Sequence, residues 1–301
     1  MVPGMTAKKQ NPPIPRPAST VILVRSGNNG MQVYLMKRSV HGGAFGGNYV
    51  FPGGTLTPQD RDSNLWLGHL DLDLEAISRR FHGDLPPEMV ISFGVAAIRE
   101  TFEEAGVLLA KGKDSTMDRL CRYRLKERLP EKWFQEQLVS DGWTLAFSKL
   151  FPWSHWVTPT LMPKRFDARF FVAFMPEGQV CVPDARETTY GVWMSPREAL
   201  QKNFEGEIPL SAPTLVTLHE LLRYDSPEQL QGRSVSHSWG ATRSPRLVPS
   251  KQGAFILQPW DPLCDENKPV DPEDFSTRIL PPAEPFSRLW MREGIWRPVE
   301  S

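Results

Sequence analysis

Residues 99–107 read Arg-Glu-Thr-Phe-Glu-Glu-Ala-Gly-Val and place three carboxylates, Glu100, Glu103 and Glu104, within five positions. On a helix Glu100 and Glu104 lie one turn apart with Glu103 beside them, so all three can converge on one edge. Like charges at that spacing repel by roughly a few tenths of a kcal/mol per pair. A hard divalent cation bound by oxygen would turn that repulsion into affinity, and Mg2+ commonly also binds substrate phosphates. The competing reading is an ordinary solvated acidic face. The surrounding residues favour the first. Val95, Ile98, Phe102 and Ala105 follow spacings of three, four and three, an apolar stripe that docks the helix on a core. Gly106 then supplies a C-cap.

Upstream, Asn48 to Phe51 reads as a short strand broken by Pro52-Gly53-Gly54 into a loop where backbone can approach a ligand closely. A glycine loop followed by an acidic helix resembles the Nudix box, Gly-x5-Glu-x7-Arg-Glu-U-x-Glu-Glu-x-Gly-U, where U is aliphatic. The second half matches at Arg99, Glu100, Glu103, Glu104, Gly106 and Val107, with Thr101 in place of the aliphatic residue. The first half reads as interrupted by an insert at about residues 55–88. The position eight before Arg99 is Ile91 instead of Glu, and Glu88 is the nearest carboxylate. The residue that would lock Arg99 therefore has no clear successor.

A third stretch narrows the branch. Arg38-Ser39, Gly47 and Phe51-Pro52-Gly53-Gly54 have the spacing of the signature that precedes the box in coenzyme A diphosphatases, although Gly43 stands where that signature has a second Arg. With the insert, Pro152-Trp153-Ser154, Trp156-Val157-Thr158-Pro159 and Arg165-Phe166-Asp167-Ala168-Arg169-Phe170-Phe171, the chain resembles the animal acyl-coenzyme A diphosphatases of the Nudix motif 19 type, from about Arg16 to Leu222. The resemblance implies an α/β/α sandwich with a mixed sheet. It also implies a Mg2+- or Mn2+-dependent hydrolase that cleaves the diphosphate of coenzyme A and acyl-coenzyme A to 3′,5′-ADP and (acyl) 4′-phosphopantetheine. A Nudix pyrophosphatase acting on ADP-ribose, NAD(H) or another conjugate is the alternative enzyme. A catalytically silent Nudix-fold binding protein is the alternative from another class.

Within that frame Glu100 and Glu104 are the first-choice metal ligands, with Glu103 a third ligand or a water-bridging partner. Glu100, Glu103 and Glu187, the last in the loop before a strand, are the catalytic candidates; Glu187 reads equally as a solvated loop acid. Arg38, Gly53 and Gly54 are candidates for the substrate diphosphate. Arg165 and Arg169 share a strand face and either meet a 3′-phosphate or form a salt-bridged solvent face. Arg99 and Gly106 are structural parts of the box, with Arg99 pairing Glu103 at i,i+4. Trp153 and Trp156 either stack adenine or belong to the core. His41 and His155 lack a ligand partner at diagnostic spacing.

Composition adds bounds. Thirty-five basic residues balance thirty-five acidic ones, so nothing points to a nucleic-acid groove or a membrane surface. Cys121, Cys181 and Cys264 are widely spaced, odd in number and in no metal pattern, which fits free thiols in a reducing compartment. No apolar run approaches the roughly 18–20 residues of a spanning helix. The resembling branch is peroxisomal, but Val299-Glu300-Ser301 is not a recognisable peroxisomal signal, and the proline-rich start carrying Lys8, Lys9 and Arg16 is a weak transit peptide. The compartment stays open between peroxisome, mitochondrion and cytosol, and the oligomeric state is not read.

The expected organisation is a flexible tail over residues 1–17, a Nudix domain over 18–225 and an extension over 226–301, folded back or partly disordered. Strands are expected over Ser19 to Arg25 and Met31 to Lys37, joined by a turn at Gly27-Asn28-Asn29-Gly30, and over Arg165 to Met175 and Thr188 to Met194. Helices are expected over 71–80, over Trp133–Leu138, from Ser195 as N-cap with Pro196 in the first turn, and over Ala212 to Arg223. Ala254–Gln258 is strand-like.

Overall fold

The structure, a computed structural model, describes residues 11–39, 46–81, 85–186 and 188–301. In chain order its elements are β1 (Arg16–Gly27), β2 (Gly30–Arg38), β3 (Tyr49–Val50), β4 (Gly53–Thr55), α1 (Ser63–Leu67), α2 (Leu74–Arg80), α3 (Pro87–Ala105) and β5 (Ala110–Lys111). There follow α4 (Asp114–Arg124), α5 (Trp133–Ser140), β6 (Thr144–Leu145), β7 (Phe151–Val157), β8 (Phe166–Phe174), β9 (Thr188–Met194), α6 (Pro196–Glu205), α7 (Ala212–Leu221) and α8 (Pro227–Ser234). Strands β10 (Arg246–Ser250), β11 (Gly253–Leu257), β12 (Arg288–Arg292) and β13 (Ile295–Val299) complete the chain.

The central sheet grows from β1, whose run Val21-Ile22-Leu23-Val24 is apolar without alternation because both of its faces are covered. Val21 and Leu23 pack with Tyr34 and Met36 beneath Val95, Ile98 and Phe102 of α3. Ile22 and Val24 face the other way, with Val33 and Leu35, onto Leu215, Leu218 and Leu221 of α7. That alternation makes an α/β/α sandwich. Strand β8 runs parallel to β1, whereas β2 and β4 pair with β1 antiparallel, so the sheet is mixed. The path through it is β3-β2-β1-β8-β7, with β4 on β1 and β9 on β2.

The long helix begins after Pro86, with Pro87 at a position whose missing N–H costs nothing. It ends at Gly106, whose φ of 74° and N–H bond to the Phe102 carbonyl form a left-handed C-cap. Val95, Ile98, Phe102 and Ala105 are fully buried. The acidic turn is therefore fixed by packing rather than by helix propensity. The hairpin turn closes on Gly27 opposite Gly30, and Ser195 caps α6 by accepting from the Glu198 N–H.

Residues 246–299 carry a four-stranded antiparallel sheet in the order β10-β11-β12-β13. Ile256, Leu289 and Trp296 on one face join the core beneath α7. Val248, Phe255, Trp290 and Val299 on the other make a smaller cluster with Phe275. Between them the buried Asp261 binds Arg288 Nε at 2.8 Å and accepts from Ser287. Trp239 ties this half to the core beneath α3, stacking on Phe81 at 5.9 Å and donating to the Phe170 carbonyl.

Candidate active site

The site is built where β4, a tight turn after it and the last two turns of α3 meet. Pairing of β4 with β1, Gly53 on Thr20 and Gly54 on Ser19, lays the glycine loop beside the helix. The Gly53 N–H donates to Glu104 Oε2 at 2.8 Å. A Cβ on Gly54 would lie 2.4 Å from Glu100 Oε1, so only glycine lets that carboxyl rest on the loop. Glu104 is 3% exposed.

Arg99 is the hub, and its locking partner is Asp60. Arg99 Nε donates to Asp60 Oδ1 at 2.9 Å and a terminal nitrogen to Asp60 Oδ2 at 2.8 Å, a bidentate pair. The same nitrogen also reaches the Thr55 carbonyl at 3.1 Å, and the other gives one bond each to Glu100 Oε1 and Glu103 Oε2, both at 2.8 Å. All five N–H donors of the guanidinium are thereby placed. Asp60 sits in a 3-10 turn, Gln59–Arg61, and also accepts from the Thr57 N–H and hydroxyl.

Asp60 corrects the reading of an unreplaced first box carboxylate and moves the point of interruption. Gly54 and Asp60 keep the Gly-x5-acid spacing, with Asp in place of Glu, and the chain departs from the box only after Asp60. Ile91, eight residues before Arg99, is a fully buried core residue, and Glu88 is exposed in the first turn of α3. The signal was the forward count from the glycine, obscured because the acid is one methylene shorter.

Among the described residues, no three acidic, His or Cys side chains converge as a ready-made metal cage. This corrects the expectation that Glu100, Glu103 and Glu104 meet on one edge. The local donors draw them apart: Glu103 Oε1 accepts from Trp133 Nε1 at 2.8 Å, its Oε2 from Arg99, and Glu104 turns to the loop. The turn nevertheless carries an excess of negative charge, with Asp60, Glu100 and Glu103 sharing one guanidinium and Glu104 adjoining. Burial, opposed by Arg99 and reinforced by Glu103, pushes the Glu100 carboxyl up to about 7. Burial also works against the Arg99 charge, but Glu100, Asp60 and Glu103 outweigh it and hold the guanidinium well above the usual arginine range.

The other candidates fall in different places. Arg38 ends β2 opposite Thr188 of β9. Arg165 donates to the Thr158 and Pro13 carbonyls, and Arg169 lies over the rings of Phe93 and Trp239. Trp153 and Trp156 are buried in the core beneath α7, which removes the adenine-stacking alternative. His155 is buried and bridges Asp167 and Thr242. Glu187, His41, Gly43, Lys8 and Lys9 lie outside the described residues.

A mixed α/β/α sandwich that sets a carboxylate-rich helix turn against a Pro-Gly-Gly loop defines the Nudix class of hydrolases, which generally use divalent metal ions. A family model described as the NUDT19 Nudix domain matches residues 74–221. The acyl-coenzyme A diphosphatase NUDT19 of Homo sapiens is 30% identical over 307 residues, covering 88% of this chain and 79% of that protein. The protein of the same name in Xenopus laevis is 27% identical, covering 78% and 72%. Among solved structures, a NUDIX hydrolase from Alicyclobacillus acidocaldarius shares the fold at a TM-score of 0.58 and 22% identity, covering 76% of this chain and 99% of that one. The chain belongs to the NUDT19 family of Nudix hydrolases.

Proposed function

We propose that this enzyme hydrolyses the diphosphate linkage of coenzyme A and acyl-coenzyme A, releasing 3′,5′-ADP and (acyl) 4′-phosphopantetheine. The observation that carries the reading is the charge-rich cluster on Gly53-Gly54, in a chain akin to proteins named acyl-coenzyme A diphosphatase. The donor chemistry fits Mg2+ or Mn2+: buried carboxylate oxygens in excess of the one guanidinium that binds them. Glu100 and Glu104, beside the glycine loop, would hold the ion, with Glu103 as a third ligand or water-bridging partner. Bound there, it would neutralise the diphosphate oxygens and acidify a water.

Arg99 acts by orientation, because it has no donor left for substrate. Its bonds to Asp60 and Thr55 on one side and to Glu100 and Glu103 on the other fix the helix turn against the loop. Glu100 Oε1 is held by Arg99, and in metal-loading states in which Oε2 does not hold the ion Glu100 is the alternative general base. Glu187 is the second candidate base. Arg38 and the glycine loop at Gly53 and Gly54 are proposed to meet the diphosphate, with Arg165 and Arg169 as the candidates for a 3′-phosphate. Among the described residues no helix is long and apolar enough to cross a membrane. The three free cysteines support a reducing compartment.

Incubation with Mg2+ or Mn2+ and a panel of coenzyme A esters, ADP-ribose and NADH tests the reading. Preferential release of 3′,5′-ADP from the esters is expected. A strong preference for ADP-ribose would transfer the activity to another nucleotide conjugate, and no turnover of any substrate would leave a binding protein.

A further inference from the structure

A cavity of about 550 Å³ opens where the extension meets the outer edge of β7. Arg243 pairs with that edge: its N–H donates to the His155 carbonyl at 2.8 Å, and its carbonyl accepts from the Val157 N–H at 2.9 Å. Gly54 of β4 pairs with Ser19 of β1, Ser19 with Arg169 of β8, and Arg169 with His155 of β7. Three strand spacings, roughly 14 Å, therefore separate this edge from the glycine loop. Among the described residues that line the cavity there is no carboxylate. Two of them, Trp153 and Arg243, each hold one buried N–H, at Nε1 and Nη1, with no hydrogen-bond partner among the described residues. Trp153 is 4% exposed and is the extra residue of a bulge. Pro152 lies opposite Phe171 and Ser154 opposite Phe170, so Trp153 falls outside the ladder and its side chain is re-aimed. Its ring is held by His237, stacked at 5.1 Å, and by Tyr224 at 6.2 Å. The Arg243 guanidinium is fixed as well, by Glu220 Oε1 at 2.8 Å and over the Trp156 ring. Trp260, also in the lining, is 48% exposed, yet its indole N–H is anchored on the Phe286 carbonyl at 2.8 Å.

We propose that this cavity binds a purine nucleoside monophosphate at a site apart from the hydrolytic turn, with the base stacked on Trp260 and the phosphate accepting from Arg243 Nη1 and Trp153 Nε1. Buried donors without acceptors are few in folded proteins. Two of them in a lining free of carboxylates select an anionic, acceptor-rich group. The exposed, anchored indole selects a flat ring, because any base can stack on it. The volume falls within the roughly 300–1,000 Å³ of small-molecule sites. Trp153 takes part through its N–H and not by stacking, since its own ring is already covered. The bland competitor is ordered water on the two N–H groups beneath a solvated indole. The two differ in whether a base and a phosphate are needed together. Neither the metal nor the substrate of the hydrolytic turn enters this inference.

The test is isothermal titration calorimetry of the full chain with AMP, adenosine and inorganic phosphate, in wild type, Trp260→Ala, Arg243→Lys and Gly54→Ala. Wild type should bind AMP, and adenosine and phosphate each more weakly. Trp260→Ala should weaken AMP by at least about fivefold, the loss of one base stack. Arg243→Lys keeps a cation for Glu220 but deletes Nη1, and should weaken AMP about tenfold. Gly54→Ala, which perturbs the carboxylate turn, should bind AMP as wild type does, and Trp260→Ala should hydrolyse the ester at the wild-type rate. A wild type that takes up no AMP, an unaltered affinity in folded Trp260→Ala, or phosphate bound as tightly as AMP overturns the proposal. Loss of AMP binding in Gly54→Ala, or a raised KM for the ester in Trp260→Ala, would merge the cavity with the hydrolytic site and overturns it as well. A chain that binds AMP in the expected pattern but hydrolyses nothing overturns the reading of the hydrolytic turn and supports this one. If Trp260→Ala does not fold, the indole N–H resonances of Trp153 and Trp260 in labelled wild-type protein decide. Both should shift on addition of AMP, and resonances indifferent to it refute the site.

Discussion

Replacing Asp60 tests the architecture of the interrupted box. Asp60 is 1% exposed and Arg99 7% exposed, and two hydrogen bonds of 2.8 and 2.9 Å join them. In Asp60→Ala the guanidinium keeps Glu100, Glu103 and the Thr55 carbonyl but loses two of its five acceptors in a site that water scarcely reaches. Breaking one side of a buried charge pair costs about 3–5 kcal/mol. For a chain of this size that corresponds to a fall in midpoint temperature of roughly 5 to 8 °C. The loss should be accompanied by a decline in hydrolysis larger than instability alone produces, because Arg99 then no longer ties the loop to the helix turn. Urea and thermal unfolding measure the first effect, and initial rates well below the midpoint temperature measure the second. Asp60→Glu, which retains the carboxylate, should recover most of both, while Glu88→Ala should be silent. An Asp60→Ala protein within about 0.5 kcal/mol of wild type, the range of ordinary surface changes, would refute the assignment of Asp60 as the lock.

Three further outcomes follow from the geometry. Gly54→Ala should cost most of the activity while the protein stays folded, because its Cβ displaces Glu100; steady-state rates with circular dichroism check this. Asp261→Ala strips the partner from buried Arg288 and should destabilise the protein by about 3–5 kcal/mol, read by urea unfolding, with the carboxylate cluster untouched. Asp167 is held below the usual carboxylate range, chiefly by its hydrogen bond with His155. A depressed acid contributes stability above its unfolded pKa and loses it as pH falls through the folded one. The stability gap between wild type and Asp167→Asn should therefore be full above about pH 4 and close on further acidification, as unfolding curves at stepped pH will show.

Much of this was legible in the chain because the strongest signals are local. The apolar spacing of Val95, Ile98, Phe102 and Ala105, with Gly106 behind it, specifies a docked, capped helix regardless of the rest of the fold. The Ser195-Pro196 start and the Gly27–Gly30 turn are likewise short-range chemistry. What escaped was long-range. Asp60 lies thirty-nine residues from Arg99, and only the return of the chain through α1 and α2 brings them together. The separation of the three glutamates could not be read from helical spacing, because it depends on donors from elsewhere: Trp133 of α5 and the Gly53 N–H. Arg165 and Arg169 alternate correctly for one strand face, but periodicity does not say that Arg165 reaches two backbone carbonyls or that Arg169 lies over Phe93 and Trp239. Trp153 and Trp156 were equally ambiguous until the extension and α7 covered them.

The central claim, that this carboxylate turn cleaves a coenzyme A diphosphate, is tested most directly by mass analysis of the products from an acyl-coenzyme A ester incubated with Mg2+. The account predicts 3′,5′-ADP and acyl 4′-phosphopantetheine from wild type, and almost none from a folded Glu104→Gln variant. Intact ester, release of free coenzyme A by thioester cleavage, or undiminished turnover by Glu104→Gln would contradict it.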